Sequence, residues 1–132
     1  MKKPLLLFAI GAVVFMSCKS DQINNVPPVI ELEDISFATE IQPIFNASCA
    51  PCHTTNTTSG VNLSSYDATV NSIGVRYGTE VVAPGNADNS PLVDKLFDNP
   101  DFGARMPLGR GPLSGEDIGL IITWINEGAQ NN

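Results

Sequence analysis

The chain has 132 residues, 42% of them apolar and 16% charged, and its 14 acids against 7 Lys and Arg give a net charge of −7. That balance excludes nucleic acid as a partner, since a phosphate backbone is held by clustered cations, and the length allows one domain with a single core. Of three cysteines and one histidine, Cys18 lies in the N-terminal leader, and the three that remain provide neither a disulfide framework nor the four Cys/His ligands of a structural zinc.

Taken in chain order, Lys2 and Lys3 precede a run of twelve residues, Leu5 to Met16, that carries no charge. This is the pattern of a secretory signal, and the run is too short to span a bilayer comfortably. Phe15-Met16-Ser17-Cys18 resembles the lipobox of bacterial lipoproteins, with Phe15 where Leu is usual. The resemblance implies a signal peptide over 1–17 and acylation of Cys18, with an ordinary cleaved signal or a signal anchor as the alternatives. Residues 18–35, rich in Asn, Pro and acids without a helical period, then read as a lipid-anchored flexible tether. Such a stretch spans roughly 20 to 25 Å on average. Loss of Lys2 and Lys3 with the signal takes the net charge from −7 to −9.

The domain is expected over 36–132. Thr39 with Gln42 forms a T-x-x-Q capping box, Pro43 falls in a first turn, and Ile41, Ile44 and Phe45 are spaced to bury one helical face. A second helix is expected from Ser65 to Ile73, with Tyr66, Val70 and Ile73 on one face and Gly74 as its stop. Val81-Val82 reads as a brief extended piece before a Pro84-Gly85 turn. Ser90 caps a third helix with Pro91 at its first position and Leu92, Val93, Leu96 and Phe97 as its apolar face, ended by Asn99-Pro100. In the last helix Ser114 is the cap, Glu116 and Asp117 complement the dipole, and Ile118, Ile121, Ile122 and Ile125 form the stripe, with Trp124 beside it and Gly128 at C′.

Between the first two helices stands Cys49-Ala50-Pro51-Cys52-His53. C-x-x-C-H is the attachment sequence for a c-type haem: on one helical turn the two thiols and the imidazole share a face, so both thiols reach vinyl groups while His53 reaches the iron. His53 is the only histidine, and once the leader is removed Met106 is the only methionine. His with Met is the axial pair of electron-transferring cytochromes c. The bland readings are a zinc site, which lacks a fourth ligand, and a thioredoxin-like pair, which lacks a preceding strand. For Met106 the bland reading is a gap-filling core side chain.

The chain as a whole resembles a class I cytochrome c domain, and most closely the planctomycete-type cytochrome c domains. The residues carrying this are Ile41-x-Pro43-Ile44-Phe45, Cys49-x-x-Cys52-His53, Val82-x-Pro84-Gly85, Ser90-x-Leu92, Arg105-Met106-Pro107, Leu113-Ser114-x-Glu116-Asp117-Ile118 and Trp124-Ile125-x-x-Gly128-Ala129, over about 37 to 129. The resemblance implies an all-α domain of about four helices around one covalent haem, first and last helices crossed, and the Met106 loop folded over the distal face. The polar stretch after His53 departs from the family pattern.

These expectations define a membrane-anchored, mono-haem electron carrier in the bacterial cell envelope, on the periplasmic side of the inner or outer membrane or on the cell surface, and not an enzyme. Its acidity suits a redox partner with a basic docking surface. Arg105, Arg76 and Arg110 are candidates to pair with a haem propionate, and the Pro84 carbonyl is a candidate acceptor for the free His53 nitrogen. The alternatives are a five-coordinate haem sensor or peroxidase-like protein, and a haem subunit docked on a larger oxidoreductase.

Overall fold

The computed structural model describes residues 34–132. The leader, Cys18 and nearly all of the tether lie outside the described residues. What is described is mostly helical, four helices with one two-stranded sheet, and none of these helices is long and apolar enough to cross a membrane.

The first helix, α1, opens with a wide turn over Phe37–Ile41 and continues as an α-helix over Gln42–Ser48. It starts one turn earlier than the T-x-x-Q box suggests. The cap is Ser36, whose hydroxyl accepts from Thr39 N–H at 3.3 Å while the Glu40 carboxylate accepts from Ser36 N–H at 2.7 Å, the reciprocal satisfaction that starts a helix. Pro43 explains the wide turn: its ring crowds the carbonyl four residues back, and the preceding bonds open to the i→i+5 pattern, Gln42 N–H donating to Phe37 O. Ile41, Ile44 and Phe45 are buried as their spacing predicts, joined by Phe37.

The second helix, α2, covers only Tyr66–Val70, capped by Ser65. Ile73 does not extend it. A helix that short buries Thr69 instead, whose hydroxyl donates back to Ser65 O at 2.8 Å, while Ile73 is exposed in strand β1, Ile73–Gly74. Strand β2, Thr79–Glu80, pairs antiparallel with it in the register Ile73↔Glu80. Val81 and Val82, the expected extended piece, follow β2 directly and are buried. The Pro84-Gly85 turn is tied to the last helix by Gly85 N–H donating to Ile125 O at 2.7 Å.

The third helix, α3, is Pro91–Asp94, preceded by Ser90 with Pro91 at its first position. Ser90 does not cap through its side chain: its hydroxyl accepts from Ala83 N–H and donates to Asn86 O, bracing the preceding turn. Leu92, Val93 and Leu96 are buried, but the helix ends before Phe97, which is left exposed.

The last helix, α4, is Gly115–Asn126, with Ser114 accepting from Asp117 N–H at 3.0 Å. Its buried face is Ile121, Trp124 and Ile125, with Ile118 and Ile122 only partly covered. Trp124 therefore lies on the stripe, not beside it, and its indole N–H donates to Gln130 O at 2.9 Å. Gly128 sits at φ 100°, with Gly128 N–H reaching Ile125 O and Ala129 N–H reaching Trp124 O, a Schellman termination.

The two ends of the domain are sewn together. Phe37 packs against Trp124 at 5.4 Å and Tyr66 at 5.3 Å between ring centroids, and its N–H donates to Asn132 Oδ1 at 2.9 Å. Ile35, which the sequence pattern assigns to the end of the tether, belongs to this core. Truncating a fully enclosed aromatic such as Trp124 to Ala costs on the order of 3 to 5 kcal/mol.

Candidate functional site

α1 stops at Ser48, one residue before the C-x-x-C-H motif, so the motif does not occupy a regular helical turn. Pro51 has no N–H to continue the ladder and disfavours the helical conformation at Ala50. Helical bonds survive only in part across the motif, His53 N–H donating to Cys49 O at 3.0 Å and Thr55 N–H to Pro51 O at 3.1 Å, and Thr58 N–H then caps Cys52 O at 2.9 Å. The convergence expected from a helix is thus achieved by successive turns. Cys49, Cys52 and His53 all line one cavity of about 240 Å³.

Met106 lines the same cavity, delivered by the Gly/Pro-rich segment between α3 and α4. Its N–H donates to Lys95 O at 2.7 Å. Leu63, Val81, Leu92 and Leu96 form an aliphatic floor, and Val75, Phe102 and Leu108 stand at the wall although each is substantially exposed. Sequence reasoning missed these last three. Their signal was weak: single apolar residues in polar or Gly-rich loops, Phe102 before Gly103 and Leu108 before Gly109.

Residues 34–132 carry eleven acids and four cations. Among the described residues no Asp or Glu lines the cavity, whereas Arg76, Lys95 and Arg110 do. In an acidic domain this segregation makes the cavity chemically suited to an apolar molecule bearing negative charge. Arg110 Nη1 donates to Ala47 O at 3.3 Å, which holds it beside the motif. Arg105 is different. It is not part of the cavity wall, and its Nε pairs with the Asp98 carboxylate at 3.1 Å.

Burial pushes the Cys49 thiol up to about 11, against the opposing pull of the Arg110 charge. Cys49 and Cys52 are both free thiols, Cys49 half-buried and Cys52 exposed. Nδ1 of His53 is buried without a hydrogen-bond partner. Pro84 does not supply one: its turn faces α4 and is absent from the cavity wall. Among the described residues no three Cys, His, Asp or Glu side chains group so as to hold one metal ion between them. Two thiols and an imidazole spread along one wall suit attachment to the periphery and centre of a broad planar group better than chelation of a bare ion.

No protein-family model matches the chain, and no match is found among curated proteins or solved structures.

Proposed function

We propose that this chain is a membrane-anchored, mono-haem c-type cytochrome of the class I kind that acts as a one-electron carrier. The observation that carries the reading is the shared cavity: C-x-x-C-H and Met106, far apart in sequence, line one apolar cavity that no acid among the described residues lines. The residues present fit a haem. Cys49 and Cys52 would hold it through thioether bonds to its vinyl groups, His53 and Met106 would ligate its iron, and Arg76 and Arg110 would be the cations to meet its carboxylates.

When bound, the haem supplies a one-electron ferric/ferrous couple. The chain's own contribution is to keep that couple simple. With both His53 and Met106 serving as ligands, the site would favour electron transfer over bond-making chemistry. The aliphatic floor excludes water, and the thioether of Met106 favours the reduced state, both of which raise the potential. Acylation of Cys18 and the tether over 18–35 would keep the domain at a membrane surface, and its acidic exterior suits a basic redox partner whose association weakens with salt.

The test is the absorption spectrum of the protein expressed with haem-attachment machinery. A covalent haem with the weak near-infrared band of methionine-to-ferric-iron ligation, lost in Met106→Ala, is the expected result. Haem without that band would favour the open-site sensor or peroxidase-like protein. Absence of covalent haem would overturn the reading.

A further inference from the structure

Lys95 lies between the rigid core and the segment that carries Met106. Its N–H is bound to Pro91 O at 3.1 Å, at the end of α3, whose Leu92 and Val93 are buried. From that base it makes three bonds to the loop. Its carbonyl accepts from Met106 N–H at 2.7 Å, and its ammonium donates to the carbonyls of Phe102 and Ala104. Gly103 arches between those two carbonyls at φ 73°, and a Cβ placed there would stand 3.7 Å from Nζ. The neighbouring Asp94 adds a second hold, its carboxylate accepting from Asp101 N–H at 3.0 Å and from the Tyr77 hydroxyl, while the Tyr77 ring meets Phe102 edge-on at 4.9 Å.

Lys95 is one of the cations on the cavity wall, yet its donors are directed at backbone carbonyls. We propose that Lys95 is the positioning residue for Met106: by tying residues 102, 104 and 106 to the end of α3 it fixes how firmly the thioether is presented into the cavity. This role rests on the reading of Met106 as an axial ligand. A loop that must open before Met106 withdraws makes the ligand harder to displace, because an external ligand competes against the methionine and against release of the clamp together. Charge-assisted bonds from an ammonium to two carbonyls are the strongest part of that clamp.

The experiment is imidazole titration of the ferric holoprotein, followed through loss of the near-infrared methionine band, in the parent, Lys95→Leu and Lys95→Arg. Lys95→Leu keeps the apolar stem and removes the donors, and is expected to bind imidazole about tenfold more tightly, equivalent to about 1.4 kcal/mol. Lys95→Arg keeps the donors and is expected to stay near the parent. Covalent haem per chain reports that the variants have folded around their haem. A parent with the band and an unchanged imidazole affinity in Lys95→Leu overturns the clamp alone. A parent that carries haem but lacks the band overturns Met106 ligation, and this role with it.

Discussion

The Glu127 carboxylate, just past the end of α4, accepts from Ile35 N–H at 2.9 Å and, through its other oxygen, from Asp34 N–H at 3.0 Å. One side chain thereby fastens the first of the described residues to the end of α4. Hydrogen bonds to a charged group contribute roughly 1.5 to 3 kcal/mol each when well shielded, less at a partly exposed site. Glu127→Ala should therefore destabilise the domain by about 1 to 2 kcal/mol, measured as a shift in urea midpoint at constant slope. An unchanged midpoint would mean that Phe37 and Asn132 alone close the ends.

Gly128 gives a cleaner backbone test. At φ 100° it occupies a conformation that side chains rarely adopt, and a Cβ there would meet nothing within 4 Å. Gly128→Ala should thus cost about 1 to 2 kcal/mol through strain alone, visible as a lower Tm with no change in the spectrum of the proposed haem. A larger loss accompanied by spectral change would show that the C-terminal turn also supports the site.

How much of this was legible beforehand varied with the kind of signal. Caps and periodicity located all four helices, because Ser65, Ser114 and the Ile41/Ile44/Phe45 spacing are local chemistry. Boundaries were less legible. Ser36 outcompetes Thr39 as a cap because Asn132, distant in sequence, also binds its hydroxyl, and Ile73 leaves α2 to pair with Glu80. At the site, the C-x-x-C-H motif could be read directly, but its neighbours could not. Lys95 looks like an ordinary surface cation in sequence and Arg76 is one of three candidate arginines; only the fold directs the first at loop carbonyls and sets the second on the cavity wall. Arg105, adjacent to Met106 in sequence, is instead engaged with Asp98.

The raised Cys49 thiol gives a pH-dependent expectation for the chain free of the proposed haem. Its neutral form is favoured by burial, with a value of about 11 against 9.0 for a free thiol. The unfolded chain then loses this proton first as pH rises, so the contribution to stability is intact below pH 9 and falls by about 2 to 3 kcal/mol as pH approaches 11. Iodoacetamide labelling of the folded, haem-free chain, with Cys18 and Cys52 replaced by Ser, should show a rate midpoint near pH 11. A midpoint near 9 would mean that the thiol is solvated before attachment. It would then reach its vinyl group without the desolvation seen in the fold.

The last expectation rests on the proposed haem and separates Arg105, which its place beside Met106 favours in sequence, from the alternatives Arg76 and Arg110. A cation close to the haem stabilises the ferrous form, since reduction removes one positive charge, so loss of that cation lowers the reduction potential. Arg76 and Arg110 are on the cavity wall, and Arg110 is braced by Ala47. Arg105 is off the wall and paired with an exposed carboxylate, a surface bond that contributes little. Arg76→Gln and Arg110→Gln should each lower the potential, and the shifts should shrink with added salt because both groups are solvent-exposed. Arg105→Gln should move it least. Spectroelectrochemical titration of the three variants at low and high ionic strength measures this ordering, and an Arg105 variant with the largest shift would place the haem carboxylates beside the Met106 loop instead of beside the hairpin and the attachment motif.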